Sequence, residues 1–285
     1  MAGKFSRSWA LMKASAEVLR SDKSLLVFPL LSGVCSLVVM ASFLIPVAAM
    51  TLEGERLGVH YQHGLSTASW TLLFFFYLVQ YAVIFFFNTA LAGVALKRLR
   101  GEQAGVSDGL ALARSRFGAI LGYALIAATV GLLLRMVQER LGLIGRFVVG
   151  LIGLAWTVAT FLVVPVLASE GVGPVDAVQR SVELLRRTWG ENLIGNAGLS
   201  VVFGVIGFVF VLVSVVLVGG AFSTHSIAAV VTAIGVVVLG FVTLALVQSS
   251  LQGIYAAALY RYAEEGEAGA GFPPALLEQA FRSKG

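Results

Sequence analysis

Long stretches without Asp, Glu, Lys or Arg dominate this chain and limit the folds open to it. Five such stretches cover residues 24–52, 57–96, 117–134, 147–169 and 192–260. A helix needs roughly 20 apolar residues to cross a bilayer. The last stretch is long enough for two helices and is interrupted at Gly219–Ser226. The sequence therefore predicts an all-α integral membrane protein with six transmembrane helices.

We expect a single membrane domain over residues 1–285, with a cytoplasmic tail over residues 263–285. Only 12% of the residues are charged, whereas soluble domains carry about 25%. The polar segments between the apolar stretches are too short to build a core of their own. The six spans are predicted at about residues 25–50, 69–96, 117–136, 147–169, 192–218 and 227–260.

Basic residues are distributed unequally between the two sides of this predicted topology. An even number of spans puts both termini on one side, which then holds sixteen of the 20 basic residues. The other side holds Arg56, Arg135, Arg140 and Arg146. Cytoplasmic loops carry the excess of Lys and Arg in membrane proteins. We therefore expect a multi-pass protein of the bacterial inner membrane with both termini in the cytoplasm and anionic lipids as partners. The charge does not indicate nucleic-acid binding.

Two polar segments show the periodicity of amphipathic helices. In the first, predicted over residues 4–22, the apolar face comprises Phe5, Trp9, Met12, Ala16 and Leu19. In the second, predicted over residues 174–189, the apolar face comprises Val175, Val178, Val182, Leu185 and Trp189. Basic helices with aromatic residues on the apolar face lie in the membrane interface. We expect this of both helices, on the cytoplasmic side, with packing inside the bundle as the alternative for the first.

A short sequence pattern recurs before three pairs of spans. Residues 15–20 (SAEVLR) resemble residues 181–186 (SVELLR), and residues 112–115 (LARS) resemble residues 179–181 (QRS). Each segment precedes one odd-numbered span and the even-numbered span that follows it. The pattern suggests three repeated helix hairpins, although matches this short between alanine-rich helices also arise by chance.

Neutral polar residues within the spans form a candidate polar seam. An asparagine or glutamine in hydrocarbon needs a hydrogen-bonding partner, which a neighbouring helix commonly supplies. The alternative is a hydrated path near the cytoplasmic side. The seam comprises Gln80, Asn88, Asn192, Asn196, Ser200, Gln248 and Gln252.

Residues at the predicted cytoplasmic surface are candidates for contact with lipids or anions, namely Trp9, Arg180, Arg186, Arg187 and Trp189.

No motif of a catalytic, nucleotide-binding or zinc-protease site occurs in the sequence. We therefore expect no catalytic residue, cofactor or bound metal, and no enzymatic activity. The nearest approach to a metal site is the predicted outer loop, where zinc could be held by Glu53, Glu55, His60 and His63. The glycines at positions 58 and 64 favour an irregular loop there instead.

The chain resembles an uncharacterised bacterial and archaeal membrane family, a domain of unknown function with six spans. The resemblance rests on residues 5–9 (FSRSW), 25–32 (LLVFPLLS), 165–190, and 258–263 (ALYRYA) followed by Phe272 and Pro273. A fainter similarity links the amphipathic start, its tryptophan and the leucine–proline entry to the first span with the sulfate-permease family of cysteine biosynthesis. No anion-binding motif of that family can be matched here.

Together these features predict a non-enzymatic scaffold, assembly partner or lipid-interacting protein, with a membrane protein or a second copy as partner. A small-solute or anion permease, sulfate-like in its substrate, is the alternative.

Overall fold

The computed structural model describes residues 13–56, 67–187 and 192–266, and within these ranges it leaves the side chains of residues 46–56, 67–69, 143, 187 and 192–201 undescribed. Helix α1 covers residues 13–21 of this part. A 3-10 turn, Lys23–Leu26, leads into the remaining helices. These are α2 (Val27–Arg56), α3 (Thr67–Leu99), α4 (Val106–Ser115), α5 (Phe117–Arg140), α6 (Leu143–Ala159), α7 (Val163–Ser169), α8 (Pro174–Arg187), α9 (Asn192–Ser223) and α10 (Ile227–Glu265).

Six helical segments in the described ranges are long and apolar enough to cross a membrane. They are Lys23–Ile45, Trp70–Leu99, Phe117–Arg140, Ile144–Ser169, Val202–Ser223 and Ile227–Glu265. No β-strand occurs among the described residues. The predicted all-α membrane fold with six spans is therefore confirmed. Glu53 and Glu55, expected in a loop, belong to the last turn of α2, and His60 and His63 lie outside the described residues.

The order of elements repeats three times: a short helix, then two long spans. Each second span ends at a glycine in the left-handed conformation, with φ of 81° at Gly101, 66° at Gly171 and 70° at Gly266. Left-handed glycines commonly terminate helices because a side chain is disfavoured at positive φ. The equivalent residues of the SAEVLR and SVELLR segments are also buried alike, since Ser15 and Ser181 are both fully buried. These observations support the three predicted helix hairpins.

The described residues fall into two compact units. The first draws on the described residues within 1–27, 95–103 and 184–285. In it α9 and α10 form an antiparallel hairpin through the turn at His225, and the 3-10 turn packs against α10. Its core lies at the C-terminal end of α10, where residues from Ser250 to Arg261 are largely buried. The opposite end of the hairpin exposes large apolar side chains such as Val216 and Ile227.

The second unit draws on the described residues within 28–94 and 104–183. In it α5 packs against both α4 and α6. Its core combines the buried end of α3 near Ala90, the first half of α5 around Ala124, and nearly all of α7. The single membrane domain stays a prediction, because the division into two compact units does not test it.

The faces that α1 and α8 bury overlap only in part with the apolar faces predicted to lie in the membrane interface. In α8 the buried residues are Ala177, Ser181, Leu184 and Leu185, while Val175 is 56% exposed. In α1 they are Ala14, Ser15, Val18 and Leu19. Leu19 and Leu185 belong to both sets. The buried alanines and serines carry little hydrophobic signal, and the interfacial placement of both helices stays a prediction.

A third short helix, α4, was not predicted. Its start is capped by Asp108, whose carboxylate accepts a hydrogen bond from the Gly105 N–H at 2.8 Å. It packs tightly through Gly109, where a Cβ would lie 2.9 Å from the Ala90 carbonyl oxygen and would also collide with Phe28 and Val94. Because glycine and alanine form the contact face, the sequence shows no apolar stripe for this helix.

Candidate functional site

Span four is broken between α6 and α7. Pro165 has no N–H to donate to the Phe161 carbonyl, and its ring clashes with an α-helical carbonyl at that position. The preceding residues tighten instead, so that the Phe161 N–H bonds to the Val158 carbonyl at 3.1 Å and the Val163 N–H to the Thr160 carbonyl at 3.1 Å. The break therefore takes the Ala159 carbonyl and the Leu162 N–H out of the helical ladder.

One side chain from α8 satisfies both of these backbone groups. The hydroxyl of Ser181 donates to the Ala159 carbonyl at 2.7 Å and accepts from the Leu162 N–H at 3.1 Å. Ser181 is fully buried. Broken helices with free backbone groups are where many transporters bind ions or substrates. Here the break is closed from within the protein.

An aromatic column fills the contact of α3 with α5 in the same unit. Tyr77, Tyr81 and Phe85 recur every four residues on α3, and Phe85 meets Tyr123 of α5 at a centroid distance of 4.5 Å. At the far end, the Tyr77 hydroxyl accepts a hydrogen bond at 2.9 Å from Arg135. Arg135 also pairs with Glu139 at 3.1 Å, as a spacing of four residues on a helix allows. The aromatic column therefore packs α3 against α5, and the Arg135–Glu139 ion pair lies at its far end.

A buried arginine organises the charged end of the first unit. Arg261 is 8% exposed and donates to the Leu99 carbonyl and, at 2.8 Å, to the carboxylate of Glu265. Glu265 also pairs with Arg100. The guanidinium thus satisfies an orphan carbonyl at the C-terminal end of α3 while its own charge is compensated.

A second ion pair in this unit joins Asp22 to Arg98 at 2.8 Å. Asp22 also accepts a hydrogen bond from the Ser24 N–H at 3.0 Å and so caps the 3-10 turn. Burial acts to raise the pKa of Asp22, but the bonds from Ser24 and the charge of Arg98 outweigh it. The pKa is held below its ordinary value. Beside this pair lies a polar groove of about 480 Å³, lined by Glu17, Val18, Ser21, Arg98, Gly101, Glu102 and Gln103.

The predicted polar seam is only partly described. Gln80 and Asn88 are half-buried on α3 of the second unit, and Gln80 Oε1 is buried without a hydrogen-bond partner among the described residues. Gln248 and Gln252 are half-buried on α10 of the first unit. The side chains of Asn192, Asn196 and Ser200 lie outside the described residues, although α9 begins at Asn192 as a helix. The seam stays a prediction.

The predicted lipid and anion contacts are also only partly described. Arg180 is paired with Glu170 at 3.2 Å and with Glu183 at 2.9 Å, so its charge is compensated inside the protein. Arg186 is exposed. The side chain of Arg187 and both tryptophans, Trp9 and Trp189, lie outside the described part.

Sequence reasoning missed the functional geometry that depends on partners distant in sequence. Neither the Ser181 bridge nor the Arg261–Leu99 bond has a local signal, apart from the position of Pro165, which marks the break. Across the described ranges, no three His, Cys, Asp or Glu side chains come together in a group that would hold a metal ion.

Comparison with curated proteins finds no match. Residues 67–272, which include five of the six spans, match DUF6159, a family of unknown function. The match does not involve the sulfate-permease family, so the fainter similarity noted above gains no support. The chain belongs to the DUF6159 family, as the resemblance to an uncharacterised membrane family implied.

Proposed function

We propose that this protein is a non-enzymatic scaffold of the bacterial cytoplasmic membrane, which binds a partner helix and anionic lipids and does not pass a solute. The observation that carries the proposal is an open apolar groove between α9 and α10. Its volume is about 470 Å³, and it is lined by Ile206, Phe210, Val236, Leu239, Gly240, Thr243, Leu244 and Val247.

The groove has a defined shape. A Cβ at Gly240 would collide with the ring of Phe210, so the glycine admits that ring to the helix surface. Phe210 and Phe241 then meet edge to face at a centroid distance of 4.8 Å. Small residues that let helices approach closely are typical of helix–helix interfaces in membranes. A transmembrane helix of a partner or of a second copy fits these properties.

The alternative of a permease has less support. A permease needs polar groups free to replace the hydration of its solute. The backbone groups freed in span four are bonded to Ser181, and Arg180, a proposed anion contact, is held by two carboxylates. The non-enzymatic part of the proposal rests on the sequence, in which no catalytic motif occurs. The cytoplasmic placement of both termini rests on the unequal distribution of basic residues.

Cross-linking within the membrane tests the partner. Leu239→Cys, introduced into a Cys35→Ser background, places a thiol in the groove. Val231→Cys is the matched control, because Val231 is similarly exposed on α10 but does not line the groove. We expect a thiol-reactive cross-linker to give a dimer or a larger defined adduct from position 239 only. Equal adducts from both positions, or none from either, would contradict the proposal.

Flux measurements test the permease alternative. Purified protein is reconstituted into liposomes, and uptake of sulfate and other small anions is compared with that of empty liposomes. We expect no difference. A wild-type flux above the background that collapses in Asn196→Leu would replace the scaffold by a permease.

A further inference from the structure

Arg116 stands at the junction of α4 and α5, and its surroundings suggest a ligand. Its backbone N–H bonds to the Leu112 carbonyl at 3.1 Å, and its carbonyl accepts from the Ile120 N–H at 3.0 Å. These bonds fix the residue between the two helices. Its guanidinium lies directly against the backbone of Gly171, where a Cβ would collide with all three of its outer atoms.

The charge of Arg116 is not compensated within the described part of the chain. Its side chain has no ion pair there, and its Nε is buried without an acceptor. The acid next to Gly171 is Glu170, which is bonded to Arg180 at 3.2 Å. A buried donor that bonds to nothing is costly, and more so when it carries charge. The guanidinium is therefore suited to an anion from outside the chain.

An exposed apolar stripe begins at the next residue. Phe117, Leu121 and Leu125 recur every four positions on α5 and are 49%, 40% and 47% exposed. All three belong to span three. The ring of Phe117 meets that of Phe86 on α3 edge to face at a centroid distance of 6.4 Å. Phe86 therefore flanks the end of the stripe that is next to Arg116. A membrane span exposes such a stripe to acyl chains.

An uncompensated guanidinium at the end of a span, one residue before the start of an exposed apolar stripe, matches an amphiphile with an anionic headgroup. We propose that Arg116 binds the phosphate of an anionic phospholipid whose acyl chain lies along Phe117, Leu121 and Leu125. Arginine suits this role because its planar fork binds phosphate oxygens in pairs. The proposal rests on the lipid-binding part of the proposed function and gives it a site.

Neighbouring cations do not share these features. Arg114 lies two residues earlier and is exposed, so its charge is hydrated. Arg180 is occupied by two carboxylates. Arg114 therefore provides the control for the net charge at this end of the protein.

Native mass spectrometry of the full-length protein in detergent tests the site. Dioleoyl phosphatidylglycerol and dioleoyl phosphatidylcholine are added in equal amounts, and the ratio of the two bound lipids is measured. We expect wild type to prefer phosphatidylglycerol and Arg116→Gln to lose about tenfold in that ratio. Arg114→Gln should lose less than about twofold, and Arg116→Lys should retain part of the preference. Gel filtration and circular dichroism establish that each variant is folded.

Phosphate competition and the comparison of variants separate a lipid site at Arg116 from a site for soluble anions and from the absence of a site. Inorganic phosphate at millimolar concentration should not displace phosphatidylglycerol; full displacement would mean a site for soluble anions and would overturn the assignment to lipid. A wild-type preference that survives Arg116→Gln, or falls equally in Arg114→Gln, removes the Arg116 site and leaves the proposed function standing. If wild type shows no preference for phosphatidylglycerol, both the Arg116 site and the lipid-binding part of the proposed function are wrong. The groove between α9 and α10 is then tested by cross-linking alone.

Discussion

At the scale of single residues, a few buried polar side chains join parts of the chain that are far apart in sequence. Ser181 closes the break in span four, and Arg261 satisfies a carbonyl at the end of α3. Hydrogen bonds in an apolar environment are valuable chiefly because leaving their partners unbonded is costly. The effect of removing such a side chain depends on what it leaves behind.

Replacement of Ser181 by alanine should destabilise the protein by about 1–3 kcal/mol, because it leaves the Ala159 carbonyl and the Leu162 N–H buried without partners. Ser115→Ala is the control. Ser115 is exposed and bonds only to the Leu112 carbonyl of its own helix, so its loss should cost no more than about 0.5 kcal/mol. Reversible unfolding in mixed micelles measures both. Equal destabilisation of the two variants would show that Ser181 does not support the break.

The lowered pKa of Asp22 predicts that the free energy of unfolding depends on pH in the acidic range. Because the pKa of Asp22 is lowered in the folded state, the unfolded chain binds its proton more tightly. The stabilisation is complete above the unfolded pKa, near 4, and is lost as the pH falls through the folded pKa. The difference in unfolding free energy between wild type and Asp22→Asn should therefore be constant from neutral pH down to about pH 5 and shrink below it.

The same comparison in an Arg98→Gln background serves as the control. Removal of the guanidinium takes away one cause of the lowered pKa, so the acid-dependent part of the difference should decrease. An undiminished difference in that background would assign the effect to Ser24 alone.

At the scale of elements, the ends of the helices are defined by backbone conformation and by capping. Three second spans end at left-handed glycines, and two short helices bury a serine at the same position of a shared pattern. α6 and α7 separate where Pro165 breaks the ladder. Local chemistry thus decides where each helix stops, while small residues such as Gly109 decide how closely two helices approach.

A comparison of Gly101→Ala with Gly118→Ala isolates the effect of backbone strain, because an added methyl group is not crowded at either position. Apart from its neighbours along the chain, a Cβ at either glycine would have no other residue within 4 Å, but only Gly101 has a positive φ. Alanine at position 101 should destabilise by about 1 kcal/mol because L-residues are strained there. Alanine at position 118, inside α5, should stabilise by a fraction of that because it restricts the unfolded chain. Thermal unfolding in detergent gives both values, and a stabilising Gly101→Ala would contradict the role of the glycine as a helix terminator.

At the scale of the whole molecule, the six apolar spans make this a multi-pass membrane protein. Large apolar side chains remain exposed along α9 and α10, as expected of surfaces that face lipid or other helices. The orientation of the termini is a separate question, which the positive-inside rule answers as a prediction.

Cysteine labelling measures that orientation. In a Cys35→Ser background, Thr224→Cys lies in the turn between α9 and α10, and Arg186→Cys lies near the end of α8; both positions are exposed. With termini in the cytoplasm, an impermeant maleimide should label position 224 in intact spheroplasts and position 186 only after permeabilisation. The opposite pattern would invert the topology.

The sequence by itself determined the class of fold, the six spans and the presence of α8. It could do so because these depend on the apolar content and local propensity of contiguous residues. The periodicity located α8 correctly but did not mark Ala177 and Ser181 as buried, since alanine and serine contribute little to a hydrophobic pattern. For the same reason α4, which packs through Gly109 and Ala113, had no signal.

Only the tertiary structure decided which polar groups meet. The Ser181 bridge, the Arg261–Leu99 bond, the shape of the groove at Gly240 and the uncompensated charge of Arg116 each depend on residues from different helices. Side-chain hydrogen bonds and close contacts are short-ranged, so they exist only once helices have packed in one register. A hydrophobic pattern places a helix in the membrane, but it does not specify which of its polar atoms will find a partner.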